Sequence, residues 1–326
     1  MFVNPGPAPV LPAALLNVWS EIFSAADLSA AQEAYDQGFS PALRVNNLKS
    51  NPAAVETALK AANIAFSPAG FPGSWRTDRD GEYKLKVHPL AESGAVYLQS
   101  PSSQLPPHVV QALAPDAAFI LDICAAPGGK TTQLASLYPN AEVVALERDK
   151  IRFQKLEFTV RRQSASNVRA FAMDALSPAK WISARTFDVV LVDAPCSGSG
   201  TVNVRNPKHV EVLSQDYDGY VVSRAAIQYR LLEAAFGYVK EGGLVVYSTC
   251  SVDPRENEAV INSILSKPGR SVVPCPDSVR AAVQASRNGL PSFRGQTYPA
   301  ELSGTLRVAP SVLGEGFYCA TLRKAA

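Results

Sequence analysis

Five short apolar runs, residues 118–121, 142–146, 168–171, 189–192 and 244–247, follow one another from Ala117 onward with helix-length segments between them. That alternation narrows the available folds more than any other feature of the chain. Strands separated by helical crossovers pair in parallel, and the helices then cover both faces of the sheet. A run such as Val189-Val-Leu-Val192 shows no polar alternation, as expected of a strand buried on both sides. Helices are expected to begin near Gly129, Asp149, Tyr220 and Pro254, and residues 316–322 read as an antiparallel edge strand. The expected class is α/β, a doubly wound Rossmann-like sheet.

Two of these runs end in a cysteine. Cys196 lies in Phe187-Asp-Val-Val-Leu-Val-Asp-Ala-Pro-Cys-Ser-Gly-Ser-Gly200 and Cys250 in Gly243-Leu-Val-Val-Tyr-Ser-Thr-Cys-Ser251. A doubly wound sheet presents its ligands just past the carboxyl ends of its strands, so both thiols fall where chemistry is done. One cysteine beside an apolar strand is ordinarily an inert core residue. Two, each in a polar tail whose Pro195, Gly198 and Gly200 set backbone angles instead of filling a core, argue against that reading.

Composition limits what the thiols can be. The five cysteines (Cys124, Cys196, Cys250, Cys275 and Cys319) make no Cys-x-x-Cys pair, and the three histidines are scattered, so neither a metal site nor a disulfide framework is expected. With 326 residues, 47% of them hydrophobic, the chain suits two domains with a sizeable core. A net charge of +2 allows nucleic acid to bind only through local basic patches. The amino terminus lacks a basic and apolar signal pattern and no apolar run is long enough to span a bilayer, which points to a cytoplasmic location and no membrane partner.

Upstream of the alternation the pattern changes. Residues 12–39 carry Leu15, Leu16, Val18, Trp19, Ile22 and Phe23 at near-helical spacing and stop at Gly38, so 1–39 is expected to be a helical segment. Residues 40–105 read as a small α+β domain, with strands at 42–46 and 95–98 and a helix capped at Ser50-Asn-Pro52. Residues 101–115, with four prolines, read as a linker or gating segment, and 106–326 as the main domain.

After the first strand of that domain comes Asp122-Ile-Cys-Ala-Ala-Pro-Gly-Gly-Lys-Thr-Thr132. Gly128 and Gly129 let the backbone approach a ligand and the next helix offers free amides, so Cys124, Ala125, Ala126, Pro127, Gly128, Gly129 and Lys130 form the expected cofactor loop. Glu147 ends the second strand, where a carboxylate holds a ribose diol; Arg152 follows in the next helix, Asp174 past the third strand suits an adenine edge, and Asp193 completes the set. Cys124 to Thr131 also differs from a phosphate-binding P-loop only at its first residue, and the run ending in Asp193 is similar to a magnesium-binding strand. A nucleotide triphosphatase is therefore the competing reading, although it leaves both cysteine motifs and Glu147 unused.

Asp122 to Thr132, Val192-Asp-Ala-Pro-Cys-Ser-Gly-Ser-Gly200 and Tyr247-Ser-Thr-Cys-Ser-Val-Asp-Pro-Arg-Glu-Asn-Glu258 together resemble successive signatures of the Sun-type RNA (cytosine-5) methyltransferases, which use S-adenosylmethionine. Leu43-Arg-Val-Asn-Asn-Leu-Lys49 and Leu98-Gln-Ser-Pro-Ser-Ser-Gln-Leu-Pro106 are similar to that family's amino-terminal extension. The resemblance implies methyl transfer to C5 of a cytosine in tRNA or rRNA, with Cys250 as the nucleophile at C6 and Cys196 assisting product release. It further implies that Asp193 hydrogen-bonds the N3/N4 edge and that Lys130 sits in the active site, where a cation also favours a thiolate. The Thr-Cys motif is the mark of the RNA enzymes; in the DNA enzymes the nucleophile lies in the Pro-Cys motif. Ser100 and Lys208 depart from the family, which commonly has acids there. For RNA phosphates, Arg44, Lys49 and Lys60 and, along one helix, Lys155, Arg161 and Arg162 are the candidates. A monomer is expected, and a non-catalytic RNA-binding assembly factor is the remaining alternative.

Overall fold

The computed structural model describes residues 10–183 and 186–326; residues 1–9 of the expected helical segment lie outside the described residues. The helical segment is two helices, α1 (Ala13–Ile22) and α2 (Ala25–Gln37). They part at Ser24, whose hydroxyl accepts from the Asp27 amide and starts α2 afresh. Gly38, at φ 76°, ends it.

A four-stranded antiparallel sheet follows, in the order β2 (Phe66–Pro68), β3 (Ser74–Thr77), β1 (Ala42–Val45) and β4 (Val96–Leu98), with α3 (Pro52–Ala61), α4 (Arg79–Lys86) and α5 (Pro89–Glu92) in its connections. Leu43, Val55, Leu59 and Trp75 fill its own small core.

The expected linker is instead a helix, α6 (Pro101–Leu113). Pro101 stands in the first turn and Ser100 caps it, where a proline has no bond to lose. Pro107 would orphan the Ser103 carbonyl, but Gln99 Nε2 donates to it at 3.1 Å. Leu105, Val109 and Val110 are fully buried, so tertiary packing overrides the proline content.

The remaining chain winds β5 (Phe119–Asp122), α7 (Gly129–Leu137), β6 (Glu142–Glu147), α8 (Lys150–Arg162), β7 (Val168–Ala172), α9 (Lys180–Ser183), β8 (Phe187–Asp193), α10 (Pro207–Gln215), α11 (Tyr217–Tyr238) and β9 (Val239–Thr249). It closes with α12 (Glu258–Leu265), β10 (Arg270–Val273), α13 (Asp277–Ala281), β11 (Ser286–Asn288), the β12 (Ser292–Phe293) and β13 (Gln296–Thr297) hairpin, β14 (Leu306–Val308) and β15 (Phe317–Lys324). Among the described residues nine strands form one sheet in the order β11-β14-β15-β9-β8-β5-β6-β7, with β10 also on β15. β7, β6, β5, β8 and β9 are mutually parallel. The chain steps outward from β5 to β7 and then returns to β5's other side as β8, so the order reverses between β5 and β8, and ligands bind at such a switch point. The sheet is Rossmann-like, as expected. β15 is antiparallel, but it is no edge: β9, β14 and β10 all pair with it, and Tyr318 and Leu322 are fully buried. Among the described residues no helix is long and apolar enough to cross a membrane.

Candidate active site

The register of two strands builds the thiol pair. Asp193, last in β8, lies opposite Ser248 in β9, and Ser248 Oγ donates to Asp193 Oδ1 at 2.7 Å. Cys196 and Cys250 follow in the two turns with their sulfurs 3.3 Å apart. The Gly200 amide donates to the Cys250 carbonyl at 2.9 Å and the Gly316 amide to the Gly200 carbonyl at 2.8 Å. A Cβ on Gly200 would stand 2.4 Å from the Gly316 carbonyl oxygen, so only glycine lets these turns close. The Cys196 thiol is held well above the ordinary thiol range, first by its hydrogen bond with Cys250, then by burial and the negative charges of Cys250 and Glu256.

Beside the thiols, Lys130 Nζ donates to Asp193 Oδ2 at 2.7 Å and to Ser103 Oγ at 2.9 Å. Burial alone would lower the Lys130 ammonium, but the Asp193 carboxylate outweighs it and the group is raised. Asp122, 1% exposed, accepts from Thr131 Oγ1 at 2.7 Å. Burial, and secondarily the Asp193 charge, push its carboxyl up to about 7. These contacts tell against a triphosphatase: the lysine and threonine of the P-loop-like run are engaged with Asp193 and Asp122, leaving neither for phosphate or magnesium.

Of the expected cofactor residues, Cys124, Glu147, Arg152 and Asp174 border one cleft, together with Arg224. Gly128, at φ 104°, starts α7, and a Cβ there would press on Leu156 and Thr159 at 3.1 Å. Glu147 is 3% exposed; its Oε1 accepts from the Asp149 amide at 2.9 Å, while its Oε2 has no hydrogen-bond partner and only Arg152 Nη1 at 3.4 Å. Arg152 also donates to the Ala126 carbonyl at 2.6 Å, tying the cleft to the loop. Asp174 Oδ1 accepts from the Leu176 amide at 2.9 Å. Arg224, which sequence reasoning missed, borders the same cleft, and its Nε is buried without a hydrogen-bond partner. Two orphaned polar atoms, an acceptor and a donor, fit a ligand carrying a diol and a carboxylate. Among the described residues no cluster of His, Cys, Asp and Glu suits a metal ion.

Cys124 borders a second recess too, which holds Lys130 and Asp193 and lies over Tyr97 and Gln99. Residues 96–100 floor three contiguous recesses. Tyr97 and Leu98 continue the central one toward Lys86, Phe158 and Arg162; Leu98 to Ser100 continue it toward Arg79, Asn203 and Arg205. Glu315, also missed, stands where the central recess meets the third, and Ser100 Oγ donates to its Oε2 at 2.6 Å. The serine at the position where the family commonly has an acid is thus joined to a carboxylate from a distant segment.

Of the basic candidates, Arg44 does not face solvent: it is 4% exposed and its guanidinium donates to Gln99 Oε1 at 2.6 Å and to the Gly129 carbonyl and Thr132 Oγ1 at 3.0 Å. It buttresses the cofactor loop, because a buried cation needs acceptors and α7's first turn supplies them. Lys49 Nζ reaches the carbonyls of Ser93 and Arg162. Lys60, Lys155 and Arg161 are exposed, and Arg162 lies 5.7 Å from the Phe158 ring centroid.

The model of the 16S rRNA methyltransferase RsmB/F family matches residues 110–323. Ribosomal RNA small subunit methyltransferase F of Aeromonas salmonicida is 34% identical over 290 residues, covering 86% of this chain and 57% of that protein. Ribosomal RNA small subunit methyltransferase B of Escherichia fergusonii is 34% identical over 209 residues, covering 64% of this chain and 46% of that protein. The chain spans about half the length of these curated relatives. Among solved structures, a methyltransferase homolog protein from Pyrococcus horikoshii superposes with a TM-score of 0.75 at 26% identity, covering 96% of this chain and all of that one.

Proposed function

The chain belongs to the 16S rRNA methyltransferase RsmB/F family, and from that premise we propose that it transfers a methyl group from S-adenosylmethionine to C5 of a cytosine in structured RNA, through a covalent adduct between Cys250 and C6. The observation that carries this reading is the thiol pair, 3.3 Å apart at the tips of adjacent parallel strands and beside the Lys130–Asp193 ion pair. The relatives' names make small-subunit ribosomal RNA the first substrate to test.

Glu147, Arg152, Asp174 and the loop from Cys124 to Lys130 would hold S-adenosylmethionine, whose sulfonium supplies the electrophilic methyl group. Cytosine C5 is a poor nucleophile until a thiolate adds at C6. Cys250 forms that sulfur–carbon bond. Asp193, oriented by Lys130 and Ser248, takes the N3/N4 edge and helps bring a proton to N3, removing the negative charge that addition pushes into the ring. Once C5 carries the methyl group, its proton passes to a base beside the ring, the electron pair re-forms the C5–C6 double bond, the Cys250 thiolate departs and N3 returns its proton toward Asp193. Cys196 is close enough to assist that elimination. The three contiguous recesses support a nucleic-acid strand on either side of an unstacked cytosine, with Arg162 and Lys86 at one end and Arg79 and Arg205 at the other. Residues 40–105, including β4 at the floor, then serve as the RNA-positioning unit.

The test is trapping. Each variant is incubated with labelled RNA and S-adenosylmethionine and run on a denaturing gel. Cys196→Ala should accumulate a slow-migrating protein–RNA adduct; Cys250→Ala and the double variant should show none. Trapping by Cys250→Ala alone would reverse the roles of the two thiols.

A further inference from the structure

Three acids between the end of β9 and the first residue of α12 are fully buried: Asp253, Glu256 and Glu258. Two have a cation. Asp253 pairs with Arg255 at 2.7 Å and Glu258 with Arg307 at 2.6 Å. Glu256 has no basic partner among the described residues. Its carboxylate is surrounded by neutral donors: the Ser197 amide at 2.8 Å and Gln228 Nε2 at 3.0 Å on Oε1, and the hydroxyls of Ser197 and Ser251, at 2.5 and 2.6 Å, on Oε2. Ser197 follows Cys196 in the chain and Ser251 follows Cys250. One carboxylate therefore grips the residue after each thiol. The Ser197 amide cannot reverse and Gln228 Nε2 also donates to the Pro195 carbonyl at 3.1 Å, so Oε1 must accept from both; burial raises the Glu256 carboxyl above its ordinary range, and the hydrogen bonds from Ser197 and Ser251 oppose that rise.

The charges around the pair are unequal. Glu256 accepts two hydrogen bonds from Ser197, the residue after Cys196, and one from Ser251, the residue after Cys250, and its charge raises the Cys196 thiol; the Lys130 ammonium acts on Cys250. The other polar groups facing the pair are Asp193, bound by Lys130 and Ser248; Tyr247, whose hydroxyl donates to the Glu256 carbonyl; and His209, on the Ser197 carbonyl. An anion paired only with neutral donors keeps its field in a low-dielectric interior, while Asp253 and Glu258 are cancelled by their arginines.

We propose that Glu256 is the positioning residue of the thiol pair: its hydrogen bonds set the two turns so that the sulfurs meet, and its uncompensated charge beside Cys196 makes Cys250 the sulfur that loses its proton first. This rests on the reading of Cys196 and Cys250 as the reactive pair, but its deciding measurement, alkylation, needs neither RNA nor cofactor. Two substitutions separate the two roles. Glu256→Gln keeps the reach: its oxygen accepts from the Ser197 amide and Gln228, its NH₂ donates to hydroxyls that can turn, and only the charge is lost. Glu256→Asp keeps the charge and shortens the reach.

The experiment alkylates the full chain with iodoacetamide between about pH 6 and 9 and reads each cysteine by mass spectrometry, with Cys275 and Cys319 as buried references. In the parent protein Cys250 should react at least about tenfold faster than Cys196 near pH 7. Glu256→Gln should bring that ratio about tenfold toward unity. Glu256→Asp should leave the ratio within about twofold while lowering the methylation kcat more than it changes KM for RNA. Circular dichroism and unfolding midpoints identify any variant that fails to fold, and the parent ordering is decisive by itself. Faster alkylation of Cys196 in the parent, an unmoved ratio in folded Glu256→Gln, or a collapsed ratio in folded Glu256→Asp each overturns the proposal. An alkylation pattern as expected from a protein that traps no RNA would leave it standing and remove only the methyltransferase reading.

Discussion

The two thiol turns and the cofactor cleft lie on one sheet, a few residues apart, yet they are finished to different degrees. Around Cys196 and Cys250 the buried hydroxyls of Ser197, Ser199 and Ser251 and the Glu256 carboxylate all have protein partners. In the cleft, Glu147 Oε2 and Arg224 Nε are buried without hydrogen-bond partners; beside Glu256, Gln228 Oε1 is the counterpart, although its Nε2 is engaged. A site that must hold its own sulfur to a fraction of an ångström is completed from within, whereas a site that binds a removable molecule leaves bonds for that molecule to complete.

The contrast is broken most severely at Cys250. Cys250→Ala should abolish methylation, a loss of several orders of magnitude, while calorimetric affinity for S-adenosylmethionine stays within about twofold, because the cleft does not depend on that sulfur. A parallel loss of binding would show that the two regions are one unit.

Asp122 lies between the regions and its stability effect depends on pH. Its folded pKa of about 7 exceeds its ordinary 3.8, so the folded state holds this proton more tightly than the unfolded one. Its stability contribution is fully present below the unfolded value and is lost as pH rises through about 7. Asp122→Asn should therefore flatten the pH dependence and gain relative to the parent between pH 5 and 8, by on the order of 2–3 kcal/mol, measured by denaturant midpoints. An equal shift at both pH values would refute this.

In the cleft, Glu147→Ala should weaken S-adenosylmethionine by about 1–3 kcal/mol, the worth of a charge-assisted hydrogen-bonding partner. Because the cofactor completes this region, adding it at about 100 times its Kd should stabilise the parent by about 2.7 kcal/mol, and the variant correspondingly less at the same concentration. Thermal shift reads both.

The smallest effects belong to exposed cations outside either region. Replacing Lys155 and Arg161 with alanine should leave stability within about 0.5 kcal/mol and lower the slope of log RNA affinity against log salt by about 1 for each phosphate that the protein no longer neutralises. An unchanged slope would remove Lys155 and Arg161 from the RNA path.

The parallel strands were legible because strands buried on both faces read as apolar runs, and so were the polar residues at their tips: Lys130, Asp193 and Glu147 line two adjoining recesses, and Cys196 and Cys250 stand 3.3 Å apart at the tips of the neighbouring strands. β2 and β3 were not, being short and half polar, and α6 read as a linker because local proline content hides a buried face. Arg44 looked like a phosphate ligand because charge is normally solvated; its acceptors at Gly129 and Thr132 lie more than 80 residues along the chain.

By itself the sequence determined the order of the strands and the residue types at their tips, since hydrophobic periodicity and turn-forming residues act over a few positions. Only the tertiary structure decided which neighbours those tips acquired. Ser103 reaches Lys130 from α6, Glu315 reaches Ser100 from the approach to β15, and Glu256 joins two serines that are 54 residues apart. The charge environment of each thiol is therefore a property of the folded site, because Coulomb interactions follow distance in space and not separation along the chain.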